Sequence, residues 1–82
     1  MANVDKDELR LLVADTIELE PKEVTDTADF GSELEVDSLT TLEITSRLEK
    51  KYGIRMVEEE LVEITSLNRL YELVTAKLAA VT

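Results

Sequence analysis

The segment 37-DSLTTLEITSRLEKKYG-53 decides the fold, because it contains the start, the period and the end of one amphipathic helix. Asp37 and Ser38 are residue types that favour helix starts, and Gly53 is a natural helix end. Ile44 lies off the main apolar line and is expected to make a second contact. The residues at helical spacing, which predict the buried face, are Leu39, Leu42, Leu48 and Tyr52, with Thr45 filling the gap.

A first helix is predicted over residues 5–19, ahead of this segment. It opens with a capping-box pattern, in which Asp5 is the N-cap and Glu8 follows three residues later. Pro21 limits how far the helix can continue. The residues that predict its apolar face are Leu9, Leu12, Val13, Thr16 and Ile17.

Two further helices are predicted after the decisive segment. A short helical piece is expected over residues 57–63, and a long last helix over residues 65–82, capped by Thr65 or Ser66. No alternating apolar pattern with a hairpin turn predicts a strand. The apolar stripe of the last helix consists of Leu67, Leu70, Tyr71, Val74 and Leu78.

Residues 20–37 have no sustained period and contain the single proline and one of the two glycines. They predict a long loop that Val24, Phe30 and Leu34 anchor to the core. Such a loop is uncommon in a compact domain and is usually functional. The chain is therefore predicted to be all-α, a small four-helix bundle. It has three long helices, one short helix and a long loop between helices one and two, in a single domain over residues 1–82.

Composition excludes several classes of function. The 82 residues include 19 acidic and 9 basic side chains, a net charge of −10, so binding to nucleic acid or to anionic lipid is disfavoured. Histidine and cysteine are both absent, which removes the common nucleophile–base pairs of enzymes. A signal peptide and a membrane-spanning run are not recognisable. We therefore expect a soluble, cytoplasmic, monomeric carrier or binding module.

No metal site is predicted, although the loop is acidic. With Asp26 at position one of a calcium loop, Gly31 falls at the turn position, but Ala28 and Phe30 replace two oxygen ligands. The acidic run over residues 58–63 is explained by a solvated helix face.

Ser38 has two interpretations. As an isolated Asp-Ser-Leu triplet it is a helix cap, and the chain would be an acidic helical adaptor. In its context, however, the chain resembles the acyl carrier protein family, whose prosthetic-group motif is Asp-Ser-Leu at the start of the second helix. The stretches that carry this resemblance are 30-FGSELEVDSLTTLEI-44, 47-RLEKKYGI-54, 57-VEEELVEI-64 and Thr65-Ser66-Leu67.

The resemblance implies 4′-phosphopantetheine on the Ser38 hydroxyl, transferred from coenzyme A by a phosphopantetheinyl transferase. Asp37 would then be both the N-cap and a recognition element, and Leu39 a core residue or a partner contact. Ketosynthase and acyltransferase enzymes are further expected partners, and the chain itself performs no catalysis. The residues expected to meet basic patches on partners are Glu43, Glu58 and Glu59.

A seam between the second and the short helix, near Met56 and Leu61, could shelter an acyl chain, although Met56 is better explained as core filler. The stretches Arg47-Leu48-Glu49 and Tyr52-Gly53-Ile54 resemble polyketide carriers most. We expect a discrete carrier protein that acts in trans. A fatty-acid carrier and an aminoacyl or D-alanyl carrier are the alternatives.

Two positions depart from the family pattern. Glu35 stands where relatives usually have glycine, which adds a negative charge close to the expected arm. The second helix also mixes acidic residues with the basic residues Arg47, Lys50 and Lys51, where relatives are mostly acidic.

Overall fold

Four α-helices make up the fold in the computed structural model, which describes residues 4–80. They are α1 (Lys6–Ile17), α2 (Ser38–Tyr52), α3 (Glu58–Leu61) and α4 (Leu67–Ala80). A 3-10 helix, Pro21–Glu23, lies in the long loop between α1 and α2. The predicted all-α bundle is confirmed, while the predicted end of the last helix at residues 81–82 lies outside the described residues. Within residues 4–80, no helix is long and apolar enough to cross a membrane.

The predicted helix starts are formed by side-chain caps. Asp5 Oδ1 accepts a hydrogen bond from the Asp7 N–H at 2.9 Å and starts α1. Ser66 Oγ accepts one from the Arg69 N–H at 3.2 Å at the start of α4. The short helix is shorter than predicted, because residues 62–63 form a turn instead of continuing α3.

The apolar face of α2 was predicted incorrectly in its first half. Leu39 and Leu42 are 67% and 52% exposed, whereas Ile44 is fully buried together with Thr45 and Leu48. Two stripes of apolar residues overlap on this helix, and only the one through Ile44 faces the core. The buried residues of the core cluster are Leu9, Val13, Ala14, Val24, Phe30, Ile44, Leu48, Ile54, Ile64, Leu67, Leu70 and Val74.

The long loop is held by backbone hydrogen bonds as well as by apolar anchors. Phe30 and Val24 are buried as predicted, and Leu34 is half-buried. The Phe30 N–H donates to the Thr65 carbonyl at 2.8 Å, and the Phe30 carbonyl accepts from the Val36 N–H at 2.8 Å. The loop is therefore tied to the start of α4 on one side and to the approach to α2 on the other.

Asp26 ties the same loop to α1 by charge and to α4 by a backbone hydrogen bond, in which its carbonyl accepts from the Asn68 N–H at 3.1 Å. Its carboxylate accepts from Arg10 Nη2 at 2.7 Å and from Lys6 Nζ at 3.4 Å. Lys6 Nζ also donates to Asn68 Oδ1 at 2.6 Å. The hydrogen bond from Arg10 is the main cause that holds the pKa of Asp26 below its ordinary value.

Glu35 has a left-handed backbone, with φ of +56°. The loop therefore keeps the conformation that glycine adopts without strain, although a glutamate occupies the position. Glu18, the residue that ends α1, has a similar φ of +59°. The chain carries this strain at two glutamates, one at each end of the loop.

We expect Asp26→Asn to weaken the dependence of stability on acid pH. Because the pKa of Asp26 is lower in the folded than in the unfolded state, its carboxylate stabilises the fold above about pH 4 and loses this effect as the pH falls through the folded pKa. Thermal unfolding between pH 7 and pH 3 should show a lower Tm for the variant at pH 7 and a shallower fall in acid. Amide exchange in loop residues 24–30 should become faster in Asp26→Asn and stay unchanged in the control Asp15→Asn, which removes the partner of Arg47 instead. A fall in Tm towards pH 3 equal to that of the wild type would contradict the role of Asp26.

We expect Glu35→Gly to raise the free energy of unfolding by about 0.5–1 kcal/mol, since the left-handed conformation costs an L-residue more than glycine loses in chain entropy. Glu18→Gly is the matched variant and should give a gain of similar size. Denaturant unfolding measures both. A loss of stability in Glu35→Gly alone would mean that the side chain makes a contact worth more than the strain.

Candidate functional site

Ser38 is the first residue of α2, and its side chain is exposed. The preceding residue, Asp37, is the N-cap, whose Oδ1 accepts from the Thr40 N–H at 2.8 Å. The Asp37 carbonyl accepts from both the N–H and the hydroxyl of Thr41, at 2.9 and 3.0 Å. The start of α2 is therefore fixed by Asp37, and the Ser38 hydroxyl is accessible from solvent.

The charge of Asp37 is stabilised by the helix that it caps. The Thr40 backbone N–H is the largest cause that lowers the pKa of this carboxyl below its ordinary value. Asp37 is consequently ionised at neutral pH, and its charge complements the positive end of the α2 dipole.

An open groove with a volume of about 400 Å³ begins beside Ser38 and runs between α2 and α3. Leu61 lines the groove, as predicted for the seam between these helices. Met56 does not line it but is half-buried and packs against the core cluster. The sequence reasoning missed Thr41 and Val62. Val62 is 78% exposed, and the available signal was an apolar residue inside the acidic run over residues 58–63. The residues that line the groove are Ser38, Thr41, Leu42, Glu58, Leu61 and Val62.

The three glutamates expected to meet partners are all exposed. Glu58 lines the groove itself, Glu59 is its neighbour, and Glu43 follows the groove residue Leu42. Within residues 4–80 none of the three forms an ion pair. Leu39, 67% exposed, lies next to Ser38 and is not a core residue.

Two of the basic residues of α2 are bound to α1. Arg47 Nη1 lies 2.7 Å from Asp15 Oδ2, and Lys51 Nζ lies 3.1 Å from Glu8 Oε1. Glu8 therefore contributes to the contact between α1 and α2. The mixed charge of α2 in the sequence is separated in space, because Arg47 and Lys51 are turned towards α1.

The residues around Ser38 fit a phosphopantetheine group. A phosphodiester on Ser38 Oγ would lie at the N-terminus of a 15-residue helix, where backbone N–H groups and the dipole favour negative charge. Along the groove, the Thr41 hydroxyl and the Glu58 carboxylate can accept hydrogen bonds from amides, and Leu42 provides apolar surface. The described residues contain no cluster of three acidic side chains placed to hold a metal ion.

Known proteins resemble this chain over most of its length. The family described as "Phosphopantetheine attachment site" matches residues 7–74. The polyketide-8 synthase acyl carrier protein 2 of Streptomyces avermitilis is 60% identical over 75 residues, which cover 92% of this chain and 86% of that protein. The acyl carrier protein of Petrotoga mobilis is 32% identical over 77 residues, with coverage of 89% and 91%.

The fold has a solved counterpart. The solution structure of oxytetracycline acyl carrier protein aligns with a TM-score of 0.79 at 22% identity, covering 100% of this chain and 90% of that chain. This structural similarity establishes the fold. The family match and the sequence relatives establish the protein family. The chain therefore belongs to the family of acyl carrier proteins, which are non-catalytic carriers with a phosphopantetheine attachment site.

Proposed function

We propose that Ser38 Oγ bears 4′-phosphopantetheine and that the chain carries acyl intermediates of polyketide assembly. The observation that carries this proposal is the position of Ser38. Its exposed hydroxyl starts α2 and opens onto the groove between α2 and α3. The identity of 60% to a protein named as a polyketide synthase acyl carrier supports the pathway over a fatty-acid or aminoacyl carrier.

The residues around Ser38 have separate roles in this function. When bound, the prosthetic group supplies a terminal thiol that holds an acyl group as a thioester. Asp37 fixes the first turn of α2 and so holds the backbone of Ser38 in place for the transferase. Along the groove, Thr41 and Glu58 would accept hydrogen bonds from the arm, and the apolar side chains Leu42 and Leu61 would shield part of it from water.

Partner enzymes would bind the surface that surrounds the groove, which we call the partner face and define by Leu39, Leu42, Glu43, Glu58 and Glu59. Its apolar residues are exposed and its carboxylates have no ion-pair partner within residues 4–80. Such a surface suits a basic patch with an apolar centre on a phosphopantetheinyl transferase, a ketosynthase or an acyltransferase. The cytoplasmic location and the monomeric state stay predictions.

We expect wild-type protein to gain the mass of one phosphopantetheine when it is incubated with coenzyme A, magnesium and a broad-specificity transferase. Ser38→Ala should gain none, because it lacks the acceptor oxygen. Ser46→Ala removes another exposed hydroxyl of α2 and should be modified like the wild type. Intact-protein mass spectrometry reports all three results.

Modification of Ser38→Ala, or no modification of folded wild-type protein by several transferases, would contradict the attachment site. The modified protein also tests the pathway. It should accept a malonyl group through a polyketide acyltransferase, and loading by an aminoacyl donor instead would favour the aminoacyl alternative.

Charge reversal on the partner face should slow the transferase reaction. We expect Glu43→Lys, Glu58→Lys and Glu59→Lys each to lower the rate roughly threefold to tenfold at low salt, with a smaller difference at high salt. Glu23→Lys makes the same change on the 3-10 helix and is the control. Initial rates at several ionic strengths measure the effect. Equal slowing by Glu23→Lys would show that only the net charge matters.

A further inference from the structure

The helix α3 has little close packing. It contains four residues, none of them buried, and it forms one wall of the groove beside Ser38. A second cavity of about 470 Å³ lies between the segment that leads into α3 and the end of α4. Of the four side chains of α3, only that of Leu61 packs against the core cluster, so side-chain packing constrains the distance of α3 from α2 weakly. The residues that line the second cavity are Gly53, Ile54, Arg55, Lys77 and Ala80.

One ion pair ties α3 to α4. Lys77 Nζ lies 2.7 Å from Glu60 Oε1, and the two side chains are only 21% and 20% exposed. In the other ion pairs of residues 4–80 the carboxylate side chain is at least 44% exposed. Partial burial strengthens a charge pair, because solvent screens it less.

The same carboxylate holds the first turn of α3. Glu60 Oε1 accepts a hydrogen bond from the Val57 N–H at 2.9 Å in addition to the bond from Lys77. The bond from Lys77 is the main cause that lowers the pKa of Glu60, so the group is ionised at neutral pH. A single oxygen therefore joins the start of α3 to the last turn of α4.

We propose that Glu60 and Lys77 are positioning residues that set the distance between α3 and α2, and with it the width of the groove beside Ser38. Neither residue lines the groove, so they act through Glu58, Leu61 and Val62. The inference rests on the proposed function only in that the groove is taken to receive the prosthetic arm. The placement of α3 itself is independent of any attachment.

The placement of α3 is tested on the unmodified protein by amide exchange. The N–H groups of Glu60, Glu63 and Ile64 donate within and after α3, at 2.9, 3.0 and 3.3 Å. In Lys77→Met, which keeps an unbranched side chain one atom shorter but removes its charge, we expect their exchange to become about fivefold faster.

Three further variants complete this test. Glu60→Gln should match Lys77→Met, and the double variant should be no faster than either one. Lys77→Arg should restore wild-type exchange, since it keeps the charge. Lys51→Met breaks the α1–α2 pair with Glu8 and should leave these three amides unchanged. Wild-type exchange in Lys77→Met, or equal acceleration in Lys51→Met, would overturn the proposal.

The width of the groove is tested on protein modified with a coenzyme A analogue that carries a solvatochromic fluorophore. Emission should shift to longer wavelength in Lys77→Met and Glu60→Gln, because more water reaches the groove, and stay at the wild-type position in Lys77→Arg and Lys51→Met. Unshifted emission with faster exchange would overturn the link to the groove. Failure of the analogue to attach would instead refute the role of Ser38, and the exchange data would still decide the role of the ion pair.

Discussion

The burial of Phe30 is the constraint on which the rest of the structure depends. Its side chain, 1% exposed, is the largest of the fully buried ones, although it belongs to a loop without helical period. Its two backbone hydrogen bonds, to Thr65 and from Val36, bring the loop against α4 and against the approach to α2. Because Val36 is two residues before Ser38, the same anchor that closes the core also positions the segment that leads into α2, whose start Asp37 caps. In this domain of 82 residues, Phe30 therefore anchors both the core and the segment next to the candidate site.

Local signals predicted the long helices well and the packing less well. Helical period and the capping residues Asp5 and Ser66 are properties of a few neighbouring residues, so the sequence contains them directly. Which of the two apolar stripes of α2 is buried depends on the helices that cover it, and the first stripe, through Leu39 and Leu42, is left exposed. The left-handed backbone of Glu35 is imposed by the surrounding loop, and its one signal in the sequence was indirect, because relatives usually have glycine at this position.

The candidate site divides along the same line. The motif pointed to Ser38 and Asp37, because a helix start is encoded locally. The groove could not be derived from it, because Thr41 and Val62 meet only when α2 and α3 come together. The pairing of Glu60 with Lys77 likewise joins residues that are far apart in sequence, so neither period nor motif indicates it.

Basic residues mostly occupy the joints between elements. Within residues 4–80, all of them except Lys50 and Arg55 form ion pairs. Arg10 holds the loop, and Arg47 and Lys51 join α2 to α1. Single ion pairs on a surface contribute little to stability, but their placement determines how charge is distributed over the surface. Most positive charges are paired with carboxylates of the same chain away from the partner face. The partner face is therefore more acidic than the composition suggests.

The exposure of Leu39, Leu42 and Val62 also has a consequence for the behaviour of the protein in concentrated solution. Apolar side chains grouped at one face favour contacts between copies, and at neutral pH the net charge of −10 keeps the copies apart. Near the isoelectric point of about 4.3 this repulsion is lost, whereas the apolar side chains stay exposed. The excess of acidic residues thus acts as a colloidal stabiliser that allows the chain to keep an apolar surface uncovered.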